Sequence, residues 1–125
     1  MLEIKENFNI SDYKNIAEYA DCKDLHITEA VNGNSVYGFI AYSYSKSEVI
    51  IYDFNDNDDL YLCDGLVRSV LFKGCLNNLD TAVFKITDEH KLSKLRSLNF
   101  VQINNNQLNN INDFMDSCKK CKEIH

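Results

Sequence analysis

The 125-residue chain has no proline and no tryptophan, and only four glycines. Without proline or a glycine- or serine-rich stretch it has no linker, and it has no internal repeat, so a single compact domain over residues 1–125 is expected. No apolar run approaches the roughly 18 residues of a membrane-crossing helix, and the opening MLEIKENFNI lacks the apolar stretch of a signal peptide. A soluble, cytoplasmic protein is the expectation. Positive charge is also short: 13 Lys and Arg stand against 19 Asp and Glu, a net charge of -6. Nucleic acid or an anionic membrane surface would need a basic face, so neither is expected as a partner. That leaves a small molecule or another protein. Five cysteines cannot all pair internally, and reduced thiols are the default without a secretory signal.

What is present is a clear alternation of patterns. Tyr13, Ile16, Ala17 and Ala20 recur at helical spacing and predict a first helix over 11–22, with Ser11 as its N-cap. LHITEAV (25–31) and SVYGFIAYSYS (35–45) flank Asn32-Gly33-Asn34 and read as a β-hairpin. EVIIYDF (48–54), with three β-branched residues in succession, suits a central strand covered on both faces. The longest helical pattern runs from about Asp58 to Leu76, with Leu60, Cys63, Val67, Val70 and Leu71 on one face and Arg68, Ser69 and Lys73 away from it. TAVFKI (81–86) predicts a strand, and EHKLSKLRSL (89–98) a helix entered through Thr87 or Asp88 and ended by Asn99. FVQI and QLNNI around the NNN of 104–106 suit either a short hairpin or an irregular loop.

This order predicts an α/β (α+β) fold with a mixed, mostly antiparallel sheet. EVIIYDF and TAVFKI form a parallel central pair joined by the long helix, and helices cover both faces. The sheet and long helix occupy 25–86, the last helix and terminal strands 87–112, and a basic tail 113–125.

One stretch is chemically odd. Five carboxylates, Asp53, Asp56, Asp58, Asp59 and Asp64, fall within twelve positions with no Lys or Arg among them. Asp58 suits an N-cap of the long helix and Asp59 its first turn, where acids are favoured by the helix dipole.

Three stretches carry a resemblance to the GNAT superfamily of acyl-CoA-dependent N-acyltransferases, over roughly residues 11–103. YGFIAY (37–42) looks like its third strand, VIIYDF with the long helix looks like its cofactor motif, and KLRSLNF (94–100) looks like its helix ending in Leu-Gly-Phe, with Asn99 as the left-handed residue. More loosely, the DGLVR helix and the Phe and Cys near the C-terminus are similar to short acetyltransferases of clostridia. The resemblance implies acetyl-CoA or CoA as cofactor, held by backbone N–H groups at the start of the long helix. It places Phe54, Tyr61, Leu62, Cys63 and Asp64 around the cofactor. Here the pattern departs from the family: Asp58 stands at the basic or amide position, and Tyr61 and Cys63 at the glycines. A carboxylate about 4 Å from a phosphate costs about 4 kcal/mol at an effective dielectric near 20. The helix terminus returns only about 0.3–2 kcal/mol.

Asp53, near the end of the central strand, is the candidate general base that would take a proton from an amine of a small molecule or protein. The region KLSKLRS holds no tyrosine to act as the acid, which leaves Tyr42, Tyr44 and Tyr52. The alternative is a non-catalytic GNAT-fold module for binding or dimerisation that has lost the pyrophosphate loop. A homodimer could supply an acceptor wall, because one helix stands before the hairpin where many members have two. Cys118, Cys121 and His125 have zinc-like spacing, but Cys22, Cys63, Cys75, His26 and His90 lie in helix or strand patterns, so no metal is expected. No Gly-x-Ser-x-Gly elbow is present, and Lys91, Lys94 and Arg96 read as the polar face of the last helix.

Overall fold

The computed structural model describes residues 2–21 and 24–115. Its centre is one six-stranded sheet in the order β1-β2-β3-β4-β5-β6, in which only β4 and β5 pair in parallel. The strands are β1 (Leu2–Asn7), β2 (His26–Asn32), β3 (Ser35–Tyr44), β4 (Val49–Asn55), β5 (Thr81–Phe84) and β6 (Gln107–Asn109). The helices are α1 (Lys14–Ala20), α2 (Leu60–Leu76) and α3 (Glu89–Ser97), with a 3-10 turn over Ser11–Tyr13 ahead of α1. The mixed sheet, its parallel central pair and its helical covering are as expected. The tail from 116 onward, with Cys118, Cys121 and His125, lies outside the described residues, as does Cys22.

Several expectations change in detail. β1 was not expected at all, and it pairs antiparallel with β2 from Leu2 opposite Asn32 to Asn7 opposite Ile27. Ser11 does not cap the first helix, which begins at Lys14 without a side-chain cap and closes at left-handed Asp21. β5 stops at Phe84, two residues early. The terminal stretch forms no hairpin of its own: Gln102 and Asn105 bridge across a tight turn, and β6 joins the sheet beside β5. On α2, Leu62 and Leu66 are buried where Leu60 was expected, and Leu60 is exposed.

Asparagine repeatedly stands where glycine is the default. Asn78 and Asn99, at φ 62° and 68°, close α2 and α3. In each case two bonds cross the end: Leu79 N–H to Gly74 O and Asn78 N–H to Cys75 O for α2, Phe100 N–H to Leu95 O and Asn99 N–H to Arg96 O for α3. Both are Schellman closures. Glycine is used in the β2–β3 turn, where Gly33 has φ 63°.

Two cores flank the sheet. On one face α2 and α3 cover Ile40, Tyr42, Val49, Ile51, Phe54 and Phe84; on the other α1 covers Ile27, Ala41 and Tyr52. A bulge in β4 connects these assignments. Tyr42 faces Ile51 and Ala41 faces Asp53, which leaves Tyr52 as the extra residue. The alternation therefore shifts by one, and both Ile51 and Phe54 point at α2 while Tyr52 points at α1. β1 is tied to α2 by a polar network: Lys73 Nζ donates to Glu6 (3.1 Å), Thr28 (3.2 Å) and Tyr42 (2.9 Å), and His26 Nδ1 lies 2.9 Å from Glu6. Lys73, expected on the solvent side, thus turns inward.

Candidate functional site

Parallel pairing of β4 with β5 covers only Val49–Ile51 against Ala82–Phe84, and the Lys85 N–H bond to Ile51 O (2.8 Å) is the last rung. Beyond it β4 runs on through the bulge to Asn55 while β5 has ended. The strands part at their carboxyl ends, where open sheets with parallel strands place ligands. A cleft of about 330 Å³ fills the gap, between Ile16 and Tyr19 of α1, Tyr52 and Asp53 of β4, and Asp88 and Lys91 at the start of α3. The Tyr19 hydroxyl donates to Lys85 O (2.8 Å) and closes one wall. A second hollow of about 350 Å³ shares Asp88 and Lys91 and continues past Phe54 to Asp56, Asp58 and His90.

Asp53, the candidate base, stands at this cleft. Its Oδ1 accepts from Lys91 Nζ at 2.6 Å and from the Phe54 N–H at 2.8 Å. Of the three tyrosines weighed as acids, Tyr52 lines the cleft with its hydroxyl on Ser43 (2.8 Å). Tyr42 belongs to the Lys73 network, and Tyr44 packs beside His26 and Tyr42, where burial first, then the neighbouring Tyr42 and Glu6, push its hydroxyl well above the ordinary tyrosine range.

Each acid of the run has a defined partner. Asp56, 5% exposed at its side chain, accepts both a two-oxygen contact from Lys94 Nζ (2.9 and 3.0 Å) and the Asp58 N–H (2.9 Å). Asp58 meets Lys94 at 3.0 Å and His90 at 3.4 Å, and these bonds hold its carboxyl below the usual range. It is not the helix cap. Asn57 and Asp58 both have positive φ (50° and 58°), and that double turn delivers Asp59 to the helix end instead. Asp59 Oδ1 accepts from the N–H groups of Tyr61 (3.0 Å) and Leu62 (3.3 Å). Asp64 takes Arg68 Nε on both oxygens, at 2.9 and 3.0 Å. The end of β4 and the first turn of α2 press against β3: a Cβ on Gly38 would stand 2.5 Å from Asn55 O and 3.0 Å from Leu62 Cδ2.

The five residues expected around a cofactor therefore separate. Phe54, Leu62 and Cys63 are core residues, Asp64 is paired with Arg68, and Tyr61 is 91% exposed. Burial pushes the Cys63 thiol up to about 12, so it is no nucleophile at neutral pH. Two free N–H groups that a diphosphate would use already hold a carboxylate of the chain itself.

Lys91 and Lys94 were read only as a polar helix face. Three positions apart, they project from one side of α3 and reach Asp53 and Asp56 across the loop. A pair of lysines at that spacing, set against a run of unpaired acids, was the available signal. No family model matches this chain, and neither a curated protein nor a solved structure matches it significantly.

Proposed function

We propose that the chain is a GNAT-like binding module without acyl-CoA chemistry, which takes a small amine-bearing molecule in the cleft between the carboxyl ends of β4 and β5. The observation that carries this reading is the Asp59 carboxylate on the N–H groups of Tyr61 and Leu62. An anion already sits on the donors a pyrophosphate needs, and its repulsion of a second anion, about 4 kcal/mol at 4 Å and an effective dielectric near 20, exceeds the dipole's attraction. The cleft volume of about 330 Å³ suits a small molecule. The rings of Tyr19 and Tyr52 offer an ammonium group aromatic surface, and it would take the Asp53 carboxylate by exchanging with Lys91 Nζ, which holds it at 2.6 Å.

A second reading, acyl transfer from acetyl-CoA with Asp53 as base, draws on the opening where β4 leaves β5 beside that carboxylate. Calorimetric and thermal-shift titration with acetyl-CoA and CoA separates the two. The binding-module reading expects no heat and no stabilisation at millimolar nucleotide. A micromolar dissociation constant would overturn it, because ligand at a hundredfold excess over Kd must add about 2.7 kcal/mol of stability.

A further inference from the structure

We propose that two copies of this chain associate through β1, antiparallel strand to strand, and make one continuous twelve-stranded sheet. β1 is an edge of the sheet, and among the described residues nothing pairs with its outer side. Such an edge presents a row of unpaired N–H and C=O groups. The strand's side chains are already sorted. Glu6 meets Lys73 of α2, which puts Leu2, Ile4 and Glu6 on the α2 face; Asn7 donates to Glu29, which also holds Tyr13, and this puts Glu3, Lys5 and Asn7 on the α1 face.

A two-fold axis perpendicular to the sheet keeps like faces together, so opposed residues must have numbers of the same parity. Three registers keep most of the strand paired. Centring on Glu3 puts Glu3 against Glu3, and centring on Lys5 puts Lys5 against Lys5. Centring on Ile4 sets Ile4 against itself, Glu3 opposite the partner's Lys5 and Lys5 opposite the partner's Glu3. Opposite charges attract across strands and like charges directly opposed repel, so the Ile4 register is selected. Leu2 and Ile4, on the α2 face of the strand, are more than two-fifths exposed. In the Ile4 register the exposed Ile4 meets its own copy, which would cover it.

Sedimentation velocity on the full chain tests this, with Glu3→Lys and Lys5→Glu as the variants. The wild type is expected at twice the chain mass, and each single variant at half that value, because Lys then faces Lys or Glu faces Glu. An equal mixture of the two variants is expected to regain the doubled mass, since the residues introduced by Glu3→Lys and Lys5→Glu attract at one contact and the native Lys5 and Glu3 attract at the other; this recovery also shows that both variants are folded. A wild type that stays monomeric at about 100 μM overturns the proposal. So do single variants that dimerise as the wild type does, or a mixture that stays monomeric.

Discussion

Replacing Lys94 by Met retains the apolar stem and removes only the ammonium that holds the acidic turn. The wild-type Nζ lies 2.9 and 3.0 Å from the two oxygens of Asp56, and the side chains are 14% and 5% exposed. Removing one partner of a buried pair costs about 3–5 kcal/mol, chiefly because the other charge is left without compensation. The lower end applies here, about 3 kcal/mol, since Asp56 keeps the Asp58 N–H at 2.9 Å. For a domain of this size about 3–5 °C of melting temperature corresponds to 1 kcal/mol, so a fall of about 10 °C is expected. Adding Asp56→Asn removes the stranded charge and keeps an acceptor for the Asp58 N–H, so the double variant should recover at least half the loss. Thermal melts and urea titrations of the wild type, both single variants and the double variant give the full cycle. A Lys94→Met melt within about 2 °C of wild type, or a double variant no more stable than Lys94→Met, would refute the claim that this pair holds the turn.

Gly38→Ala should cost about 1–3 kcal/mol in urea unfolding, because its Cβ would press on a backbone oxygen, Asn55 O, that cannot rotate away. Cys63 should resist iodoacetamide at pH 8 until the protein unfolds, read by peptide mass mapping; fast labelling of the folded protein would contradict its burial and raised pKa. Burial raises the Glu6 pKa, but hydrogen bonds from His26 and Lys73 outweigh it and hold the group below its ordinary 4.5. A carboxyl depressed in the folded state contributes stability above its unfolded pKa and loses it as pH falls through the folded value. The stability gap between wild type and Glu6→Gln should therefore be full near neutrality and close as pH drops below 4.5, and a gap unchanged by acid would exclude the ionic contribution of Glu6.

The local patterns that report the fold well are those in which one face is buried. VIIYDF, LHITEAV and the α2 and α3 heptad-like spacings gave the central elements, and Asn99 ended α3 as a left-handed residue should. β1 was not legible: its six residues hold only two apolar side chains in alternation, Leu2 and Ile4, and both stay more than two-fifths exposed in the fold. The helix start was harder. Asp58 and Asp59 are chemically identical candidates, and the choice between them is made by two consecutive positive φ angles at Asn57 and Asp58 that no periodicity encodes. The phase shift at Tyr52 is of the same kind, because a bulge is set by pairing with Ala41 and Tyr42 rather than by the strand's own residues. Of the candidate site, Asp53 and the cleft position followed from the strand end; Lys91 and Lys94 required knowing that α3 packs against the β4–α2 turn.

The Asp59 carboxylate can also be regarded as a tethered competitor. It is joined to the donors it occupies by the backbone itself, so its local concentration is at least millimolar and does not fall on dilution of the protein. An external phosphate must displace this resident group, and its apparent affinity is reduced by the factor by which the resident's local concentration exceeds its own dissociation constant. Raising the concentration of the protein cannot change that ratio. Only shortening, removing or neutralising the Asp59 side chain can, which makes one position the control over whether the end of α2 answers to anions in solution.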